Sequence, residues 1–371
     1  MGIVVQKFGG QLVGSPARIR RAAAFVIATK EAGDDPVVVV SAPGRITDYF
    51  TKLAFRVAEK PDERELDMLL SVGERMGMSL LAMAINGIGR YKAVSFTGSQ
   101  VGIITDTRHT NASIIEVKGY RIREAIAEGM IPIVAGFQGI STDKEITTLG
   151  RGGSDATAVA LAAAIGAVRC ELIKESGGVF TADPAILPEA IQHFDMDYAT
   201  LEALTAAGAK VVQPRAAALA REHHVTLSVA SLDGTKSTLV SDRTLSTAPI
   251  SAIILQDKFF LLAGIANEGE CGENFFWQRG GGWLCLTRVG GRGTLVDTLT
   301  LVGWGGQFPQ HAVKVIQRVV AQEALALIRT PATLVVAVEA GHGSAVLRMV
   351  HTAAIAAGLF KRSGVGIAED D

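Results

Sequence analysis

The sequence predicts a three-layer α/β/α sandwich followed by a smaller α+β region, and three observations carry that reading. Up to about residue 240, apolar strand-like runs alternate with amphipathic helical runs, the pattern of a parallel sheet covered on both faces. One of those runs, "PVVVVSA", is apolar throughout instead of alternating, as a strand buried on both faces must be. At "VSDRTLSTAPI", residues 240–250, helices give way to a polar stretch ending in proline, and the chain beyond it changes texture. The predicted domains are therefore 1–240 and 248–371.

Taken in order, "GIVVQKF" reads as the first strand. "SPARIRRAAAFVIATKEAG" reads as a helix, with serine and proline at its start and glycine at its end. The strand "PVVVVSA" follows, then helices around "TDYFTKLAFRVAEK" and "ERELDMLLSVGERMGMSLLAMAINGIG". Further strands are expected at "KAVSFTG", "IPIVAGF", "CELIKES" and "VTLSVAS". Helices are expected at "GYRIREAIAEG", "SDATAVALAAAIGA", "DYATLEALTAAG" and "PRAAALAREHH". The later region reads as strand at "ISAIILQDKFFLLAG", a glycine-rich stretch through "WQRGGGWLCLTRVGGRG", and a strand at "DTLTLVGWG". After these come a helix "PQHAVKVIQRVVAQE", strands near "LALIRT" and "ATLVVAVEA", a helix "GSAVLRMVHTAAIAAG" and a frayed tail "GIAEDD".

Composition narrows the function. With 371 residues, 48% of them hydrophobic, the chain can bury two cores. A net charge of -1 gives no basic excess for nucleic acid or an anionic membrane, so a small neutral-to-acidic ligand is the expected partner. Cys170, Cys271 and Cys285 are odd in number and lack metal-ligand spacing, which suits core thiols in a reducing cytoplasm. The start "MGIVVQKFGG" has no basic region before a long apolar segment, so no secretory signal is expected. Mean hydropathy is +0.30, yet runs such as "TAVALAAAIGAV" are short of a membrane span and read as buried helices. Adjacent His223 and His224 point about 100° apart on a helix and no carboxylate completes a zinc site. "DMD" at 195–197 reads as a turn and helix cap.

Candidate chemistry sits where strands end, the place at which open α/β sheets bind ligands. In "QKFGGQLVG", Gly9 and Gly10 let backbone N–H groups approach a phosphate while Lys7 supplies a mobile positive charge. In "TTLGRGGSDATAVALAAAIGA", Gly152, Gly153 and Ser154 lie where a helix beginning near Asp155 presents its positive dipole end. Arg151 can grip a carboxylate bidentately. Asp155 could cap that helix, or orient lysines and a Mg²⁺ ion around phosphates, and spacing alone leaves both open. Two anion turns, one with lysine and one with arginine and aspartate, suggest phosphate at one and carboxylate near the other. Neither is a Walker A sequence, and no protein-kinase catalytic loop is present.

The chain resembles an aspartate kinase of the amino acid kinase family. The words that carry the resemblance are "KFGG" at 7–10, "VVVSA" with Gly44 and Thr47 after it, and "RELDMLLSVGE" ending at Glu74. They continue with "FTGSQVGIITD" at 96–106, "GFQGISTDKEITTLGRGGSDATAVALAAA" at 136–164, "GVFTADP" at 178–184 and "GAKVVQPRA" at 208–216, in family order across almost the whole first domain. The resemblance implies an amino acid kinase domain and ATP-dependent phosphorylation of the side-chain carboxylate of L-aspartate, with Mg²⁺. It implies that Thr47, Glu74 and Arg151 hold aspartate, Glu74 facing its ammonium and Arg151 its carboxylate, with Ser41 at the strand end beside them. Lys7, Gly9, Gly10, Gly152, Gly153, Ser154, Asp155 and Lys210 would surround the phosphates, Lys7 and Lys210 stabilising the moving phosphoryl group and Asp155 serving the metal.

Departures from the family's pattern cluster on the ATP side. "KFGGQL" puts Gln11 and Leu12 where the family usually has hydroxyls. "KESGGVFTADPA" replaces the usual "TDVDGVYTADPR": Lys174 and Glu175 stand for threonine and aspartate, Gly177 for aspartate, Phe180 for a nucleotide-contacting tyrosine and Ala185 for arginine. Glu175 can still accept ribose hydroxyls. Two rivals stay open, a catalytically weak or inert homologue that senses an amino acid, and a kinase of a related carboxylate. The region from 248 resembles the paired ACT modules of aspartate kinases, whose pairing between chains implies a homodimer. Its later part follows their strand, helix, strand, strand, helix plan, whereas Phe275, Trp277 and Trp283 make the first module atypical.

Overall fold

The protein, as a computed structural model, is described for residues 2–243, 248–265, 275–279, 282–287 and 294–360. Its backbone divides into two compact units, Met1–Val179 with Val211–Arg243, and Phe180–Lys210 with Thr244–Asp371. The segment 180–210, placed with the first domain in the sequence reading, therefore groups with the second unit. Cys271 and the tail lie outside the described residues, as do the side chains of Phe275, Trp277, Trp283 and Cys285.

In the first unit β1 (Ile3–Phe8), β2 (Asp35–Val40), β3 (Ala93–Phe96), β6 (Ile131–Ala135) and β9 (Arg169–Ile173) form a parallel sheet ordered β9-β1-β2-β6-β3. Strand Leu227–Ala230 extends it in parallel beyond β9, and Ser237–Ser241 adds an antiparallel edge. A second small sheet joins β4 (Ile103–Thr105), β5 (Ile114–Val117), β7 (Gln138–Ser141) and β8 (Ile146–Thr148) in the order β5-β4-β7-β8. None of these short strands was legible in the sequence, because three or four residues with polar side chains show no usable period.

Helix α1 (Pro16–Glu31) starts as its sequence signals, with the Ser15 side chain accepting the Arg18 N–H and Pro16 in the first turn. It packs with α3 (Glu63–Ile88) over one sheet face, in a core that includes Phe8, Val38, Val40, Leu81, Ile85 and Ile133. Helix α6 (Gly153–Ile165) packs against β1, β2 and β9, and being nearly all alanine, valine and leucine it is buried almost all round. By strand alternation Lys7 points away from Phe8 and its core. Among the described residues α3 is long and apolar enough to cross a membrane by length and composition, although the sequence reading found every apolar run too short to span. Its middle carries Asp67 and Glu74, both buried against the protein, so its apolar face is a core face.

In the second unit an antiparallel sheet runs in the order 275–279, 282–287, Ile250–Ile265, Thr294–Gly303, Thr333–Glu339, Ala324–Arg329. Helices Gln310–Val319 and Gly343–Ala356 close its core around Ile253, Leu299, Ile316, Val336 and Val350. The element order from 294 to 356 is strand, helix, strand, strand, helix, as the sequence predicts. Asp197 caps helix Tyr198–Ala206 by accepting the Thr200 N–H at 2.7 Å, the capping role expected for "DMD". Thr181 fastens its segment to this unit, since its Oγ1 meets Nε2 of the buried His351 at 2.9 Å and its carbonyl accepts the Ile253 N–H.

Candidate active site

Register places the ends of four parallel strands in one row. Phe8 pairs with Val40 on one side and Ile173 on the other, and Val40 pairs with Ala135. The residues that follow, Gly9, Ser41, Gly136 and Lys174, therefore emerge side by side at the carboxyl edge. Backbone bonds extend the row past the strands: Ser41 N–H donates to the Phe8 carbonyl at 3.2 Å and Gly136 N–H to the Val40 carbonyl at 3.0 Å.

The two turns nearest the centre of the row are stitched together. Gly44 N–H donates to the Gly10 carbonyl at 2.8 Å, and a Cβ on Gly10 would stand 2.5 Å from the Ala42 carbonyl oxygen. Only glycine fits there. Helix α3 comes equally close: a Cβ on Gly77 would sit 2.8 Å from the Ser41 carbonyl and one on Gly73 2.7 Å from Ala42 Cβ. That approach delivers Glu74, whose Oε1 accepts the Ala42 N–H at 3.1 Å. Its Oε2 is buried without a hydrogen-bond partner, and burial, only partly opposed by the Ala42 N–H and Lys7, raises its pKa from 4.5 to about 7. Thr47 lies half-buried in the first turn of α2 (Ile46–Val57), after the left-handed Gly44.

Helix α6 is preceded by Gly152, its N-cap residue, held at φ +78° with no side-chain cap. Gly136 admits this helix end, since a Cβ there would lie 2.8 Å from Ser154 Cβ. Asp155, in the first turn, does not cap it. Its Oδ1 lies 2.6 Å from Lys7 Nζ and its Oδ2 2.9 Å from Lys174 Nζ, with side-chain exposures of 2%, 8% and 22% for Asp155, Lys7 and Lys174. Burial pushes the Asp155 pKa up, but the two ammoniums outweigh it and hold the carboxyl well below the usual range. Burial lowers the Lys174 pKa despite the attraction of Asp155. Each Asp155 oxygen thus faces one ammonium, and in this arrangement the carboxylate orients two lysines. Among the described residues no group of three or more His, Cys, Asp or Glu could hold an ion by itself.

The other predicted residues fall into distinct places. Arg151 is exposed and pairs with no carboxylate among the described residues. Glu175 is exposed and pairs with Arg18 at 2.9 Å. Arg18 also donates to the Gln11 carbonyl, while Leu12 turns inward to the core and leaves the turn surface. Gly177 has φ +55°, and a Cβ on it would stand 2.4 Å from Ser231 Cβ and 2.8 Å from the Ser231 backbone nitrogen. Phe180, Ala185 and the exposed Lys210 belong to the second unit.

Two residues outside the predicted set position the Arg151 turn. Asp67, fully buried on α3, accepts from the Thr148 hydroxyl, from the Thr110 N–H at 3.0 Å and meets His109 Nδ1 at 2.8 Å. Arg215 donates to the carbonyls of Ala112 at 2.8 Å and Leu149 at 3.0 Å, and to Asn111 Oδ1. Together they clamp residues 109–112 against 148–149, the chain entering Gly150 and Arg151. Both stand inside the motif words, but their partners lie 42 to 104 residues away, so spacing gave no signal.

The profile of the amino acid kinase family matches residues 2–231. The chain is 48% identical over 257 residues to an aspartokinase of Mycolicibacterium smegmatis, covering 69% of this chain and 61% of that protein. It is 44% identical over 271 residues to an aspartokinase of Geobacillus stearothermophilus, covering 73% and 64%. The chain thus spans somewhat over three fifths of the length of these relatives. In fold it is similar to Escherichia coli aspartokinase III solved with aspartate and ADP, at TM-score 0.80 and 20% identity over 95% of this chain and all of that one. A match over residues 2–231, well over half of its length, places the chain in the amino acid kinase family.

Proposed function

We propose that the protein is an aspartate kinase that transfers the γ-phosphoryl group of ATP to the side-chain carboxylate of L-aspartate, giving 4-phospho-L-aspartate on the way to lysine, threonine and methionine. The observation that carries this reading is the Lys7–Asp155 pair, which fixes an ammonium between a glycine turn and a helix N-terminus. The aspartokinase names of relatives at 44% and 48% identity supply the substrate.

Gly9, Gly10, Gly152, Gly153 and Ser154 offer backbone amides to the phosphates, and Lys7 meets the charge that spreads over the moving group. Lys174, Glu175 and Phe180 serve the nucleotide, and Lys210 stabilises the moving phosphoryl group. Glu74, with one orphaned oxygen, takes the substrate ammonium, Arg151 its α-carboxylate, and Ser41 and Thr47 line the same end. The acceptor carboxylate is already a nucleophile at neutral pH, so no general base is needed and positioning does the chemistry. A Mg²⁺ ion arriving with the nucleotide would supply further neutralisation of phosphate charge, and Asp155 orients the two lysines.

The second unit is, on this reading, an ACT-like regulatory domain with an atypical first module that pairs between chains of a homodimer in the cytoplasm. Neither nucleic acid nor membrane is a partner. The test is acyl phosphate trapped as a hydroxamate with ATP, Mg²⁺ and aspartate all present, run beside glutamate and related acids. Product with aspartate alone supports the proposal. Aspartate binding with neither hydroxamate nor ADP makes the protein a regulator, and product only with another acid reassigns the substrate.

A further inference from the structure

Asp155 holds more positive charge than it neutralises. Lys7 and Lys174 bring two ammoniums to one carboxylate, leaving a formal +1 in a cluster largely closed to water. A buried excess charge is costly unless an anion completes it. Lys174 is the most open of the three, and it follows Ile173, the register partner of Phe8, so it emerges beside the Gly9 turn. The family's pattern has threonine at this position. A threonine would leave Asp155 with Lys7 alone and a formal charge of zero.

We propose that Lys174 is a fixed cation for the nucleotide's phosphates, so that the chain itself supplies part of the charge that neutralises them. The proposal rests on the nucleotide reading above and adds to it the source of the charge. Two observations agree: the paired ammoniums on Asp155, and the position of Lys174 directly after the β9 terminus beside the Gly9 turn. Such an ammonium makes charge-assisted hydrogen bonds to phosphate oxygens without first being desolvated from bulk water.

The test is ADP binding to the full chain by titration calorimetry, in EDTA and in Mg²⁺, for the wild type, Lys174→Met and Lys174→Arg. Expected is a wild-type Kd that differs by less than about 5-fold between buffers, and a Lys174→Met Kd about 10- to 100-fold weaker in EDTA that Mg²⁺ largely restores. Lys174→Arg should recover binding in EDTA. Lys174→Thr, which carries the family's residue, is the second neutral variant should Lys174→Met fold poorly. Equal ratios of Kd in EDTA to Kd in Mg²⁺ for the wild type and the neutral variants overturn this proposal alone. No ADP binding by the wild type in either buffer overturns it together with the nucleotide reading.

Discussion

Glu74 Oε1 accepts the backbone N–H of Ala42 at 3.1 Å, tying the middle of α3 to the turn after β2 and leaving the second oxygen buried and unpaired. The free protein bears that cost, because ionising the group in place is unfavourable.

The cost has a sign in pH. Glu74 has its folded pKa raised from 4.5 to about 7, so its contribution to stability is fully present below 4.5 and is lost as pH rises through 7. The difference is of the order of 3 kcal/mol. Glu74→Gln should raise the unfolding midpoint at pH 8 and change it little at pH 4, as thermal melts will read. Because the ionised form is the one that pairs with an ammonium, the KM for aspartate should fall between pH 6 and 8 in the wild type. A flat profile there would remove Glu74 from the substrate.

Arg151 gives a separate reading of the acceptor. Lysine keeps the charge but not the two-pronged grip, so Arg151→Lys should raise the aspartate KM about 10- to 100-fold while changing the ATP KM by less than about 3-fold. Steady-state kinetics with each substrate varied decides it.

Asp155 works in the opposite pH direction from Glu74. Its folded pKa is depressed, so its stabilisation is fully present above the ordinary carboxylate value and is lost only as pH falls through the depressed folded value. Asp155→Asn strands two ammoniums and should cost about 3–5 kcal/mol in urea unfolding at pH 7, a difference that largely persists at pH 3 and closes only in more strongly acid solution.

Arg215 should matter without touching substrate. Arg215→Met removes the donors to the Ala112 and Leu149 carbonyls and should cost about 2–3 kcal/mol. Hydrogen exchange at the Ala112 amide, which donates to the Thr148 carbonyl, should speed up more than exchange in β1. Uniform acceleration over both would mean global destabilisation with no local clamp.

The sandwich was readable because its strands and helices carry their own signals: "PVVVV" for a buried strand, and Ser15, Pro16 and Gly33 for the ends of α1. The glycine turns were readable for the same reason, since backbone approach demands glycine locally. What stayed hidden depends on register. Lys174 and Asp155 stand 19 apart in sequence and meet only because β9 runs beside β1 with Ile173 opposite Phe8. The grouping of 180–210 with the second unit was hidden too, because it is fixed by bonds such as Thr181 to His351, between residues 170 apart.

The crowding at Gly177 constrains how this sequence can drift. An aspartate there, the family's residue, would drive its Cβ into Ser231, main chain included, before any functional benefit could be felt. Substitutions at 177 and 231 should therefore couple, and introducing the family's residues at 174–177 one at a time should produce non-additive effects. A graft meant to restore a relative's nucleotide loop would have to move the two segments as a set.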